Sequence, residues 1–397
     1  MSKRLLLVYS NNFYQTGMGT NTRVKSLAKC FKELGYDIDY FSFSHFSDTS
    51  HFDNFEEENK DGLIKNLYLH DFWGTEEKLT FFQRAIRKLK RIFHIKEYKD
   101  SGFLGNWIQP QCQKLFDEVT QKNDYDVIVL FYTYMATLLK GKELRAKKIY
   151  FMEDSMFLQQ YSWDKDKNTG VTLGKLMDEE LERMKVFDDI FCISNDEKIM
   201  YGKLLGKDIY FLPHLIEKTS RISPIPFDER KWDIYFIGFN NPFNAEGLKW
   251  FLKEVYPLLG KEIKIVLVGS VTKAVEIPDA DNIEVIPFAE SLDDIYDNSK
   301  ICICPMFQGT GMKIKVVEAM SKGIPVVCNE RGVDGLPDKS MSGCLVTQEP
   351  ECFASYIHKL LSDQEYYSAV SGQTKEYYSK VFDRQDALHK IKKVFDR

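Results

Sequence analysis

The stretch Gly309-Thr310-Gly311-Met312-Lys313-Ile314-Lys315-Val316-Val317-Glu318-Ala319-Met320 decides how this chain is read. An apolar strand pattern, Ile301-Cys302-Ile303-Cys304-Pro305-Met306, runs into it, and a second, Ile324-Pro325-Val326-Val327-Cys328, follows. A glycine-rich turn that opens a helix between two parallel strands presents unpaired N–H groups and a positive dipole end, which suits a phosphate. Lys313 and Lys315 add positive charge beside it. Glu318 lies about 9 Å along the helix axis from Met312, where a carboxylate can accept from sugar hydroxyls while the turn holds a diphosphate. Glycines at such a turn also serve plain close packing, so the pattern alone leaves both readings open.

Working outward, strand and helix alternate on both sides. After Lys207 come strands at Ile209–Leu212, Asp233–Ile237, Ile263–Val268 and Ile283–Ile286, with a helix at about 245–259. Before it, Leu5–Tyr9, a polar loop, a helix at 23–34 and Ile38–Phe43 make a βαβ unit, which implies a parallel sheet. Further strands are expected at 127–131, 148–152 and 189–193, and a charged helix at 173–187. Pro213, Pro224 and Pro226 mark the linker region. The expectation is α/β: two Rossmann-like, doubly wound domains, 1–207 and 208–375, facing a central cleft, with a helical tail at 376–397.

The 397 residues suit two domains, and 44% hydrophobic with 28% charged is ordinary for a globular protein. A net charge of −5 argues against a nucleic-acid partner. The eight cysteines are scattered, and Cys302 and Cys304 point to one strand face rather than forming a zinc or redox pair. They read as reduced thiols of a cytoplasmic protein. Met1-Ser2-Lys3-Arg4 leads straight into a short strand, not a signal peptide, and no apolar run is long enough for a membrane span. Within 81–99, Phe82, Ala85, Ile86, Leu89 and Phe93 form one stripe, flanked by Arg84, Arg87, Lys88, Lys90 and Arg91. This basic amphipathic pattern suits peripheral contact with the inner face of an anionic membrane, or a helix packed on its own domain with a solvated basic face.

Other candidates carry two readings each. Gly17-Met18-Gly19 is a phosphate-facing loop or a flexible turn; without a third glycine, or an acid closing the second strand, it does not suit NAD. Asp154, with Glu153, follows a strand where parallel sheets bind ligands, and can orient or deprotonate an acceptor hydroxyl, or merely cap a helix. His214 sits at the linker, and Phe288 stacks on a donor base or fills the core.

The segments Asn240–Leu259, Val285-Ile286-Pro287-Phe288 and above all Gly309–Gly335, with Glu318-Ala319-Met320-Ser321-Lys322-Gly323-Ile324-Pro325-Val326-Val327, resemble the group 1, or family 4, glycosyltransferases of the GT-B fold. Phe151-Met152-Glu153-Asp154-Ser155 and Glu179–Ser194 are similar to a bacterial exopolysaccharide-associated branch. The resemblance implies a hexosyltransferase that moves a sugar from a nucleotide-diphosphate-sugar donor to a saccharide or lipid-linked acceptor, with retention and with neither metal nor further cofactor. It also implies a C-terminal helix crossing back to the first domain. The family's ribose-holding glutamate falls on Glu318, the donor loop on Gly309, Thr310 and Gly311, and basic positions on Lys315 and Lys313. Gly17 and Gly19 match the first-domain glycine loop. A second family glutamate falls on Thr310, and the usual Arg and Lys of the loop after the second domain's first strand are absent from Gly238-Phe239-Asn240-Asn241. A nucleotide-sugar 2-epimerase and a non-catalytic nucleotide-sugar-binding protein are the alternatives.

Overall fold

The computed structural model describes residues 3–15, 19–47, 50–72, 104–105, 108–164, 170–216 and 225–397. The basic stripe at 81–99 and Gly17 lie outside the described residues. The chain divides into two compact units. One takes in Met1–Cys192, Met200–Tyr210 and Lys390–Arg397, the other Ile193–Ile199 and Phe211–His389.

In the first unit, β1 (Lys3–Val8) leads through α1 (Gly19–Glu33) to β2 (Tyr36–Ser44), and the short α2 (Phe55–Glu58) precedes β3 (Asn66–Asp71). Then follow α3 (Pro110–Lys122), β4 (Val127–Leu130), β5 (Lys147–Met152), α4 (Met156–Asp164), α5 (Leu173–Met184), β6 (Asp189–Cys192), α6 (Asn195–Leu205) and β7 (Ile209–Phe211). The sheet order is β3-β2-β1-β4-β5-β6-β7, parallel from β3 through β6. Leu5, Leu6, Leu7 and Val8 are all inaccessible to solvent, as a parallel sheet covered on both faces requires. Each such side chain contributes about 1.5–3 kcal/mol of burial.

The second unit runs β8 (Trp232–Ile237), α7 (Pro242–Trp250), β9 (Ile265–Val268), β10 (Ile283–Ile286), α8 (Asp293–Asp297), β11 (Ser299–Cys304), α9 (Ile314–Ser321), β12 (Val326–Cys328) and β13 (Leu345–Val346). It continues with α10 (Pro350–Ser362), α11 (Gln364–Val381) and α12 (Arg384–Phe395). Its parallel sheet has the order β10-β9-β8-β11-β12-β13. Strand alternation sorts the core. Tyr235, Val266, Cys302 and Cys304 pack on one face, and Ile234, Phe236, Ile265, Ile301 and Ile303 on the other. Gly247 lets α7 lie against the chain leaving β11, because a Cβ there would fall 2.0 Å from the Pro305 carbonyl oxygen.

Several local expectations are corrected. The glycine turn does not itself start the helix: α9 begins at Ile314, with Lys313 at its N-cap. The helix expected over 245–259 begins at Pro242, capped by the Asn241 side chain, and ends in a π turn and a 3-10 turn around Pro257, which lacks an N–H for a regular ladder. The tail is two helices, not one. They part at Phe382-Asp383, where Asp383 Oδ1 accepts from Asp386 N–H and starts α12. The edge strands β3 and β13 were not legible, because β3 mixes polar residues into its run and β13 has only two residues.

Candidate active site

In the second sheet the chain leaves β8 for β9 and β10 on one side, then returns to β11 beside β8 and proceeds outward to β12 and β13. The direction reverses between β8 and β11. The carboxyl ends of those two strands are where an open parallel sheet binds its ligand. The loops there are Gly238–Asn241 and Pro305–Lys313, and the sequence candidates gather on the second.

Gly309 has φ +108° and Gly311 φ +68°, left-handed conformations that glycine adopts without a Cβ penalty. Lys313, only 8% exposed, donates through Nζ to the carbonyls of Thr310 (3.2 Å) and Gly311 (3.3 Å). Its charge is tucked beneath the turn and holds it. Lys315, two positions further along and in the first turn of α9, donates to Asn244 Oδ1 at 2.8 Å, and its Nζ lies 4.5 Å from the Phe236 ring centre. The Asn244 amide in turn donates to the Phe239 carbonyl. An ammonium from α9 is thereby delivered to the loop after β8, which has no cation of its own. Burial lowers the Lys315 pKa below the usual lysine value, opposed mainly by Cys304 and Cys302.

Glu318, on the next turn of α9, accepts a 2.6 Å hydrogen bond at Oε2 from the hydroxyl of Tyr296 in α8. Burial pushes its carboxyl above the ordinary range, while the Tyr296 bond and the Lys315 charge pull it back. The Gly311 N–H donates to Glu197 Oε1 at 3.2 Å, so this amide of the turn already serves a carboxylate. Phe288 is 71% exposed on the loop after β10, which removes the core reading for it; Phe239, after β8, is 57% exposed. His214 is buried.

Asp154 and Gly19 belong to the first unit. Gly19 is the exposed first residue of α1, and Asp154 is half-buried between β5 and α4. Its neighbour Glu153 forms a buried ion pair with Arg23 of α1 (2.8 Å). Burial pushes the Glu153 carboxyl up to about 6, against the pull of Arg23. Asp39 is taken up by Arg4, Tyr125 and Asn66, a structural use of that carboxylate within β2. Tyr132 stacks on Tyr134, whose hydroxyl meets Ser10 Oγ at 2.8 Å.

Sequence reasoning missed Tyr296, Asn244, Glu197 and Arg23. Only Arg23 left a signal, as a charge on the buried side of α1. Among the described residues, no group of His, Cys, Asp and Glu side chains is arranged to hold a metal ion.

Residues 231–363 match the family described as Glycosyl transferases group 1. An uncharacterized 44.6 kDa protein in the cps region of Klebsiella pneumoniae is 26% identical over 317 residues, covering 72% of this chain and 77% of the relative. The fold is similar to that of sucrose-phosphate synthase from Thermosynechococcus elongatus, with a TM-score of 0.66 at 14% identity over 99% of this chain and 98% of that one. It is also similar to a mutant of S. aureus TarM in complex with Fondaparinux, alpha-GlcNAc-glycerol and UDP, with a TM-score of 0.69 at 10% identity over the whole of both chains. A third likeness is to Anabaena HepE in complex with UDP-glucose, with a TM-score of 0.64 at 12% identity over 99% of both chains. The parallel sheets and the structural likenesses agree on the fold, which is GT-B, and within it residues 231–363, which hold the loop between β11 and α9, match the group 1 glycosyl transferases.

Proposed function

We propose that the chain transfers a sugar from a nucleoside-diphosphate sugar to a saccharide or lipid-linked acceptor in surface polysaccharide synthesis, with retention of configuration and without a metal. The observation that carries this reading is the convergence of the Gly309–Gly311 turn, the Lys315 ammonium and the Tyr296-held Glu318 carboxylate at the strand ends of the β8–β11 switch point. The diphosphate is assigned to the Lys315 side of the turn. There a desolvated ammonium stabilises the charge that grows on the leaving group far more than it would in water. Lys313 keeps the turn in shape from below. Glu318 is assigned to the ribose hydroxyls, and exposed Phe288 to the face of the base. Asp154, at the carboxyl end of β5, is the carboxylate we assign to the acceptor hydroxyl, and Gly17 and Gly19 are assigned to the donor diphosphate.

The UDP-bound TarM and UDP-glucose-bound HepE structures support a nucleotide sugar as donor, and the relative from a cps region supports a surface saccharide as product. All eight cysteines are free, which fits a reducing, cytoplasmic setting. Among the described residues no helix is long and apolar enough to cross a membrane.

The test is a thermal-shift screen against nucleoside diphosphates and their sugars, followed by transfer assays with the best donor. Glu318→Ala and Lys315→Ala should lose most of the activity, by about 100-fold or more, while melting cooperatively. Wild-type turnover in both variants would contradict the assignment. Donor binding with neither transfer nor hydrolysis would make the protein a nucleotide-sugar binder instead.

A further inference from the structure

Among the described residues only two phenylalanines are exposed, Phe239 and Phe288. Both belong to the second unit, on the loops that leave the carboxyl ends of β8 and β10. The sheet puts them in step. Ile237 of β8 and Ile286 of β10 both pair with Val268 of β9, the strand between them. The ladder continues one residue past the strands: Gly238 N–H donates to the Val268 carbonyl at 2.9 Å, and Gly269 N–H to the Ile286 carbonyl at 2.8 Å. Two residues beyond the row Ile237, Val268 and Ile286 stand Phe239, Ser270 and Phe288. A singly exposed apolar residue is ordinary on a protein surface. Two rings in one row at the ligand edge of a parallel sheet have a common use to explain.

The middle of the row is small. Gly269 leaves room only for the Gly238 carbonyl, since a Cβ there would fall 2.3 Å from that oxygen. Ser270 is half-buried, and its Oγ accepts from Asn240 N–H at 2.9 Å. Strands two apart in a sheet are separated by about 10 Å. Stacked rings prefer centroids 4.5–7 Å apart, so one flat ring between two others needs about 9–14 Å from outer ring to outer ring. The row therefore has the span for one planar heterocycle between two phenylalanines, over a low floor. The Phe239 backbone is also fixed. Asn244 Nδ2 donates to its carbonyl at 2.9 Å, while Oδ1 of the same amide accepts from Lys315. One side chain thus anchors both the ring and the ammonium assigned to the diphosphate, as two ends of one nucleotide would require.

We propose that Phe239 is the second face of a base clamp: the nucleobase of the donor lies between Phe239 and Phe288, over Gly269 and Ser270. This deepens the donor-site reading above, which uses one ring, and rests on it.

The experiment is calorimetric titration of wild type, Phe239→Leu and Phe239→Tyr with the uridine, guanosine, adenosine and thymidine diphosphates. Leucine keeps an apolar side chain on an exposed loop position but has no flat face, and tyrosine keeps the face. The expected result, for the diphosphate that wild type binds best, is a loss of about 10-fold in the leucine variant, the scale of one base–aromatic stack. The tyrosine variant should stay within about 2-fold of wild type. At saturation the ultraviolet absorbance of the bound base should also fall less with the leucine variant than with wild type, a stacking signature that a brace of the loop would not produce. Unchanged affinity in Phe239→Leu, a loss in Phe239→Tyr as large as in Phe239→Leu, or an equal fall in absorbance would overturn the proposal while leaving the donor site in place. A wild-type protein that binds no nucleoside diphosphate would overturn the donor-site reading, and this proposal with it.

Discussion

At the scale of the residue, the site depends on neighbours that fix ionisable groups. Glu318 has a carboxyl raised by burial, and the 2.6 Å bond from Tyr296 is the leading influence opposing that rise. Tyr296→Phe removes the donor, so the Glu318 pKa climbs further. Nucleoside-diphosphate affinity should drop about 10-fold, the scale of a charge-assisted hydrogen bond, and the acid limb of the affinity–pH profile should move to higher pH. Calorimetric titrations across that pH range check both effects, and a wild-type profile would show that Glu318 needs no brace. Glu318 and Lys315 could be picked out from the sequence because the helix period ties them to the glycine turn. Tyr296 could not, because its contact follows from how α8 packs beside α9.

At the scale of the element, one carboxylate starts a helix that is not its own. Glu180 of α5 accepts from the N–H groups of Met156 (3.1 Å) and Phe157 (2.9 Å), the opening residues of α4, and from the Tyr201 hydroxyl (2.8 Å). These groups would otherwise be unpaired at the helix start. Burial nevertheless pushes the Glu180 carboxyl up to about 7. The folded state therefore holds its proton at a pH where the unfolded chain, with a carboxyl near the ordinary 4.5, has lost it. Stability falls as pH rises from the unfolded value through about 7, by about 1.4 kcal/mol for each pH unit that separates the two. The melting temperature should decline between about pH 5 and pH 8, and Glu180→Gln should flatten that decline. A variant slope equal to wild type would assign the dependence elsewhere, with Glu153 the next candidate because burial raises its carboxyl as well. The two-helix tail belongs to the same scale. Apolar periodicity runs through Val381 and Phe382 towards Leu388, but the Asp383 cap restarts the helix in between.

At the scale of the whole molecule, the chain ends in the unit where it began. Residues of α12 through His389 count with the second unit, and those from Lys390 with the first. There Phe395 packs on Phe31 and Tyr36, with ring centres 5.4 Å and 5.6 Å apart, and Asp396 meets Lys3 at 2.6 Å. The ion pair is exposed and contributes little; the ring is buried. Phe395→Ala should cost about 3 kcal/mol in chemical denaturation of the first unit, whereas Lys3→Ala should leave the midpoint almost unchanged.

The residues alone determined the α/β architecture, the repeated strand–helix alternation and the Gly309–Glu318 motif, since strand burial, helix period and glycine turns act over a few neighbouring positions. Only the tertiary structure decided which distant groups meet that motif. Asn244 carries the Lys315 ammonium to the loop after β8, Tyr296 holds Glu318, and the 193–199 segment brings Glu197 to the Gly311 amide. Those meetings depend on strand order and on where the chain crosses between units, and side-chain hydrogen bonds across 22, 71 and 114 residues of separation leave no local pattern to read.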